Sequence, residues 1–181
     1  MNCPVCSKVA LEAGQCSEIP QKLHCPQCGG QWVQAFQYWK WLHALGTNLP
    51  EKPAQPDEKQ PTTDSTKAKL CPECGHFLTR NKVGHGIEFH IDRCTTCGGI
   101  WFDKNEWDIL KSRNLHDDIH FIFSEAWQHN VAQQENKETH EKRIQMILGD
   151  NDYAKVHEFK QWADTHAMRS TIMAFLAGLD G

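Results

Sequence analysis

No stretch of the 181-residue chain approaches the ~20 apolar residues that a membrane-spanning helix needs. The most apolar stretch, Thr171–Leu179, is about half that length. The opening Met1-Asn2-Cys3-Pro4 has neither a basic flank nor an apolar core, so no export signal is expected. His-Glu-x-x-His, Gly-rich phosphate loops and Gly-x-Ser-x-Gly are all missing, which removes the motif-based routes to metalloprotease, nucleotide-dependent or serine-hydrolase chemistry. There is no excess of positive charge either: 19 Lys and Arg face 23 Asp and Glu. A basic stripe that would neutralise nucleic-acid phosphates is therefore lacking. What the chain does have is nine Cys, eleven His and seven Trp. Without an export signal those thiols argue for metal or redox chemistry rather than a disulfide framework, and for a cytoplasmic setting.

Eight of the nine Cys form four C-x2-C pairs: Cys3/Cys6, Cys25/Cys28, Cys71/Cys74 and Cys94/Cys97. Two pairs separated by 18 or 19 residues suit a tetrahedral four-thiolate zinc site, because the intervening segment can run out and back as a hairpin. Three of the pairs read Cys-Pro-x-Cys, where Pro biases the turn. Gly29, Gly75 and Gly98 follow three of them and can take positive φ. A thioredoxin-type motif would occur once, between a strand and a helix. A rubredoxin-like iron site shares the knuckles, but the short spacing favours zinc. Two Zn2+ per chain are expected, held by these eight thiolates. The ninth thiol, Cys16, falls at a hairpin tip as a spare surface Cys.

The two halves of this pattern are copies. Cys25-Pro-Gln-Cys-Gly-Gly-Gln-Trp32 lines up with Cys94-Thr-Thr-Cys-Gly-Gly-Ile-Trp101, and Tyr38 lines up with Trp107. In the second copy Gly86–Arg93 alternates apolar and polar as a half-buried strand. Asp103-Lys-Asn-Glu106 then resembles a capping box before a helix over about Lys104–Arg113. The first copy is expected to end in a helix over about Ala35–Ala44. Its Phe36, Tyr38, Trp39 and Trp41 are too many aromatics for one buried face, which suggests a docking surface. Both units resemble the transcription factor IIB-type zinc ribbon family, the second closely through Cys71-Pro-x-Cys-Gly75 and Cys97-Gly-Gly-Ile-Trp-Phe-Asp103 with Glu106. The resemblance implies zinc binding and a ribbon fold. It implies no reaction, and it points to transcription by analogy alone.

Residues 50–69 hold four of the eight Pro and almost no apolar residue, the composition of a flexible linker. From residue 115 onward there is no Pro and no Cys, and apolar residues recur at helical spacing. Eleven acidic and six basic residues make this third acidic. The expected fold class is thus a small metal-stabilised α+β protein: two β-hairpin zinc ribbons, each followed by a helix, plus a C-terminal all-α domain. The expected divisions are ribbon 1 over 1–48, linker over 49–69, ribbon 2 over 70–114 and an acidic helical domain over 115–181.

His116 and His120 stand four apart near Asp117 and Asp118, a spacing that could place two ligands on one helix face. A closed four-Cys site leaves no open coordination position, so the chain is expected to be non-enzymatic. The leading expectation is an adaptor whose ribbons, with Phe36, Tyr38, Trp39 and Trp41, meet a protein partner. Aromatic residues are enriched in interface cores. The alternatives are a transcription-related nucleic-acid or RNA polymerase binder, drawing on Arg80, Lys82 and Arg93, and a metal or redox accessory protein using Cys16 or His116 and His120.

Overall fold

The ribbon hairpin is simplest to follow in the second copy. In the computed structural model, which describes residues 1–14, 22–46 and 62–178, strands β4 (Leu78–Gly84) and β5 (Ile87–Cys94) pair antiparallel. The chain turns between them through Gly84, His85 and Gly86, all at positive φ. Along β5 the predicted alternation holds at Ile87, Phe89 and Ile91, which are buried while Glu88 is exposed. It breaks at Asp92, which is buried as well. The short strand β6 (Ile100–Phe102) then adds beside β5. The first copy repeats the plan with β1 (Glu12–Ala13), β2 (Leu23–His24) and β3 (Gln31–Val33).

The two copies are not separate modules on a tether. Strand β3 pairs antiparallel with β6, giving one six-stranded sheet in the order β1-β2-β3-β6-β5-β4. The register sets Gln31 opposite Phe102, Trp32 opposite Trp101 and Val33 opposite Ile100. Because Trp32 and Trp101 are equivalent in the repeat, the chain meets its own copy about a local two-fold axis, like the isologous contact of a homodimer. Close packing enforces the match. A Cβ on Gly30 would lie 2.2 Å from the Trp101 ring, and one on Gly99 would lie 2.2 Å from the Trp32 ring.

Alternate residues of the central strands serve two faces of the sheet. Trp32 and Trp101, both fully buried, join the eight thiols in one cluster. Val33, Ile100 and Phe102 join the other cluster, with Val83, Phe89 and Ile91. Helices cover this second face. From α1 (Ala35–Leu45) come Tyr38 and Trp41, from α2 (Glu106–Ser112) Trp107 and Leu110, and from α3 (Ile119–Ile122) Ile119 and Ile122.

The compact unit that contains the ribbons runs from Met1 to Val131, and a second unit begins at Ala132. A boundary after residue 114 was expected. It moves because Ile119 and Ile122 are wholly buried in the ribbon core, and because the first turns of α4 (Glu125–Leu148) belong there too. Trp127 donates its indole N–H to the Val83 carbonyl at 2.9 Å, and Gln128 bonds both the N–H and the carbonyl of Lys82. Val131 closes over Gly84, where a Cβ would meet its methyl group at 2.5 Å.

The linker expectation is corrected at its end, since residues 62–69 pack onto ribbon 2; residues 47–61, like Cys16, lie outside the described residues. The second unit holds the rest of α4, then α5 (Asp150–Thr165) and α6 (Arg169–Leu176). The polar stretch Gln133–Glu141 continues α4 rather than breaking it, and Gly149 at φ 75° ends that helix.

A shared sheet predicts shared unfolding. Gly30→Ala and Gly99→Ala, by forcing a methyl group into a packed indole, should each cost about 1–3 kcal/mol. Each variant should lower the denaturation midpoint for release of both metal ions together, as followed with a chromogenic chelator. Release of one ion well before the other would show that the ribbons fold separately.

Candidate metal centres and the buried ion cluster

Each knuckle is built the same way. The residue after the second Cys takes positive φ, at Ser7, Gly29, Gly75 and Gly98. Its N–H bonds the carbonyl of the first Cys at 2.8–3.0 Å in all four. Ser7, the departure noted in the sequence, adopts the turn regardless. The turn aims backbone N–H groups at sulfur: Cys6 N–H lies 3.3 Å from Cys3 Sγ, Glu73 N–H 3.4 Å from Cys71 Sγ and Cys97 N–H 3.5 Å from Cys94 Sγ.

The hairpins bring the pairs together into two groups, Cys3/Cys6/Cys25/Cys28 and Cys71/Cys74/Cys94/Cys97, whose sulfurs all lie within 4.8 Å of one another. The closest approaches are 3.6 Å for Cys3–Cys28, 3.9 Å for Cys25–Cys6, 3.5 Å for Cys71–Cys97 and 3.4 Å for Cys74–Cys94. These are far beyond a disulfide bond. They sit near the edge of about 3.8 Å that a tetrahedron of sulfurs has around zinc at about 2.3 Å.

Burial pushes Cys3 up to about 11 and raises Cys28 and Cys97 as well, because crowded thiols resist ionising together. Cys94 goes the other way. Burial would raise it, but the N–H groups of Cys97 and Thr96 and the neighbouring thiols hold it down at about 6. The residues fit a four-thiolate zinc ion at each centre, a closed set that stabilises the fold and offers no place for substrate.

The second centre has polar neighbours. His76 Nδ1 lies 3.4 Å from Cys74 Sγ, and Glu73 Oε2 lies 3.4 Å from Cys97 Sγ. The Gln34 amide of the first ribbon donates to the other Glu73 oxygen, a link between the copies.

Beside this centre is a group of charges that the sequence reading missed. Lys69, assigned to the linker, is 2% exposed and forms ion pairs with Asp92 at 2.5 Å and Asp103 at 3.1 Å. Burial works against its charge, but the two carboxylates outweigh that and hold Lys69 above the usual lysine range. Asp103 also accepts the Trp101 indole N–H at 2.8 Å and the Ser65 N–H at 2.8 Å. Asp64 pairs with Arg80 and with His90. Carboxylate oxygens of Asp64, Asp103 and Glu106 lie within 4.8 Å of one another, but the Lys69 ammonium already supplies the positive charge there.

Glu106 carries out half of the expected capping box. Its Oε2 accepts the Asp103 N–H at 2.8 Å, while the helix itself starts later than predicted, at Glu106 behind Asn105 in the left-handed region. Burial, and then the charge of Asp103, push Glu106 up to about 9, so it is a neutral acid at pH 7. Its repeat equivalent is Gln37, also buried, a neutral side chain of nearly the same shape.

Other predicted site residues are dispersed. His116 precedes α3 and lies 3.5 Å from the Asp117 carboxylate, and His120 packs beside Tyr38 and Trp39. Among the described residues they join no third ligand. Arg80 is paired with Asp64, Lys82 lies 3.5 Å from Glu88 and Arg93 sits over the Phe123 ring at 5.1 Å, so they form no open basic patch. The docking set is corrected as well. Tyr38 and Trp41 are core residues, 2% and 8% exposed, since Trp41 packs on Trp107 and the Tyr38 hydroxyl donates to the Asp117 carbonyl at 2.8 Å. Phe36 and Trp39 remain exposed, at 66% and 43%.

Two outcomes follow from this chemistry. The purified chain should hold two zinc ions and be colourless, and Cys25→Ser or Cys94→Ser should cost its own ion and loosen the other, by metal analysis and chelator competition. A red protein with iron absorbance would sink the zinc assignment. Glu106 keeps its proton when folded and releases it near pH 4.5 when unfolded, so it lowers stability progressively as pH rises from there toward about 9. Glu106→Gln should therefore flatten the loss of stability of the zinc-loaded protein between pH 7 and 9, measured by denaturant unfolding. An unchanged slope would mean that Glu106 is ionised in the fold.

Comparison with known proteins agrees with the geometry. Residues 2–44 and 70–113 each match the family model described as transcription factor zinc-finger, of the IIB-type zinc ribbon, and the region beyond them matches no family. No curated protein and no solved structure matches the chain. No helix among the described residues is long and apolar enough to cross a membrane. With two complete four-cysteine centres on two hairpins of one sheet, the chain carries two tandem zinc ribbons of the transcription factor IIB-type family.

Proposed function

We propose that the protein is a non-enzymatic, cytoplasmic adaptor that uses its zinc-templated domain to present a fixed aromatic surface to a protein partner. The observation that carries this reading is the split within α1. Tyr38 and Trp41 are spent on the core, yet Phe36 and Trp39 stay in solvent. Trp39 lies 5.3 Å from the His120 ring, which packs tilted at 4.0 Å against Phe121, itself 53% exposed. A rigid helix thus holds Trp39 at one end of an exposed aromatic run. Large aromatics of this kind are the usual anchors of protein interfaces. The closed zinc centres support a structural role for the metal, and the reducing cytoplasm would keep eight thiols available to it.

The alternative, a polymerase- or nucleic-acid-binding role, is supported by the family resemblance and by the capacity of exposed aromatics to stack on bases. The paired state of Arg80 and Arg93 speaks against it.

The test is affinity purification of the tagged chain from its native organism, comparing wild type with Phe36→Ala/Trp39→Ala. The variant should keep two zinc ions and its melting temperature but lose a specific protein on the order of 100-fold, the effect of removing an interface anchor. If every associated protein is retained, the docking reading fails. Salt-dependent retention of the wild type on single-stranded RNA, lost in the variant, would put the alternative in its place.

A further inference from the structure

The second unit is a set of helices without a core. Of its described residues only Ala163 is buried. Helix α5 carries Tyr153, Val156 and Phe159 at spacings of three, and α6 carries Ile172, Phe175 and Leu176 at spacings of three and four. Each set marks a stripe along one side of its helix. Val156, Phe159, Trp162, Phe175 and Leu176 are 39–69% exposed. Helices of 16 and 8 residues are marginal on propensity alone, and helical stability in proteins comes from packing an apolar face. This face requires a cover.

Charge identifies the cover. Residues 132–178 hold seven acidic and six basic side chains, and several are paired within the unit: Asp152 with Lys155 at 3.0 Å and Asp164 with Arg169 at 2.9 Å. A surface so balanced has no basic face for an anionic bilayer or a nucleic acid. It also lacks the one-sided field that would select an oppositely charged protein. It does not repel its own copy. The available area is adequate too. With Met168 and Met173, also exposed, α5, α6 and the turn between them offer seven large apolar side chains. At roughly half exposure they present on the order of 700 Å² of surface, close to the roughly 800 Å² per partner of a standard stable interface.

We infer that the apolar face of α5 and α6 docks on the same face of a second copy, making a two-fold homodimer through the second units. The contact is isologous and closes on itself, so it gives a dimer rather than a fibre. It concerns a surface distinct from Phe36 and Trp39 and stands whether or not the adaptor reading does.

The test is sedimentation equilibrium of the full zinc-loaded chain over a range of concentrations. Wild type is expected at the mass of two chains. Phe159→Glu/Phe175→Glu should raise the dimer dissociation constant on the order of 100-fold or more while keeping two zinc ions. Phe159→Leu/Phe175→Leu should remain dimeric with unchanged helix content, which separates loss of the interface from loss of the fold. A wild-type monomer at every concentration overturns the inference. So does a dimer that survives both Glu substitutions, or pelleting of wild type with phosphatidylserine vesicles that the Glu variant loses.

Discussion

The fold depends on one self-complementary contact, the antiparallel pairing of Trp32 with Trp101 at the centre of the sheet. A single zinc ribbon has only short strands and leaves an edge open. Here β3 of one copy pairs with β6 of the other, and each central Trp ring packs against a glycine of the opposite copy. Three consequences converge on this contact. It pairs the β3 edge with the β6 edge, so that the sheet ends only in β1 and β4. It buries two indoles beside the thiol clusters, so packing and metal binding reinforce one another. It also brings α1 and α2 onto one face of the sheet, where Trp41 meets Trp107 at 5.6 Å and a common apolar core forms. Metal alone would stabilise two small modules. Metal plus this pairing makes one domain.

Much of the local structure was legible in the sequence. The C-x2-C spacing led to both four-thiol groups, and the Gly after three of the four knuckles marked the turn that the structure uses. The repeat gave the correspondence of copies, and the alternation of Ile87, Phe89 and Ile91 gave a strand. Those signals are local, set within a few residues by backbone stereochemistry. What escaped was the contact between copies, because a repeat shows that two segments are alike and is silent on whether they touch. One trace was present. Gly-Gly-x-Trp occurs in both copies, and a second Gly that no turn requires, Gly30 or Gly99, marks a place where another group approaches closely. The reason for the second Gly lies across the sheet.

The aromatic and charged residues were misjudged for a related reason. Counting Phe36, Tyr38, Trp39 and Trp41 against the core of a lone ribbon leaves more aromatics than that core can take up. The shared core is larger and absorbs Tyr38 and Trp41. Lys69 and Asp64 fell in a Pro-rich, charged tract, the composition of a solvated linker. Burial of such residues depends on partners distant in sequence, Asp92 and Asp103 for Lys69 and Arg80 for Asp64. Helix periodicity after residue 115 was read well for existence and poorly for allegiance. The stripe of Ile119 and Ile122 is the same whether it packs on its own helices or, as here, on a ribbon.

The departures from two-fold symmetry are themselves ordered. Where ribbon 2 has Asp92, Asp103 and Lys69, the equivalent positions of ribbon 1 hold Leu23, Gln34 and Met1. The charged set is whole in ribbon 2 and wholly absent from ribbon 1, as buried electrostatics demands, because one member left alone would be an uncompensated charge. Trp101 shows the local gain: its indole N–H reaches Asp103, whereas that of Trp32 has no such partner among the described residues. Glu106 and Gln37 show the limit on divergence. Both side chains are buried at equivalent positions of the repeat, and the acid fits by keeping its proton, which makes it the chemical counterpart of the amide. The surface of the two copies differs as well: α1 carries Phe36 and Trp39 where ribbon 2 has Asn105, just before α2, and Asp108. A domain built by self-pairing thus keeps the paired centre of its sheet two-fold while its two helical faces diverge, which gives one of them a surface the other does not have.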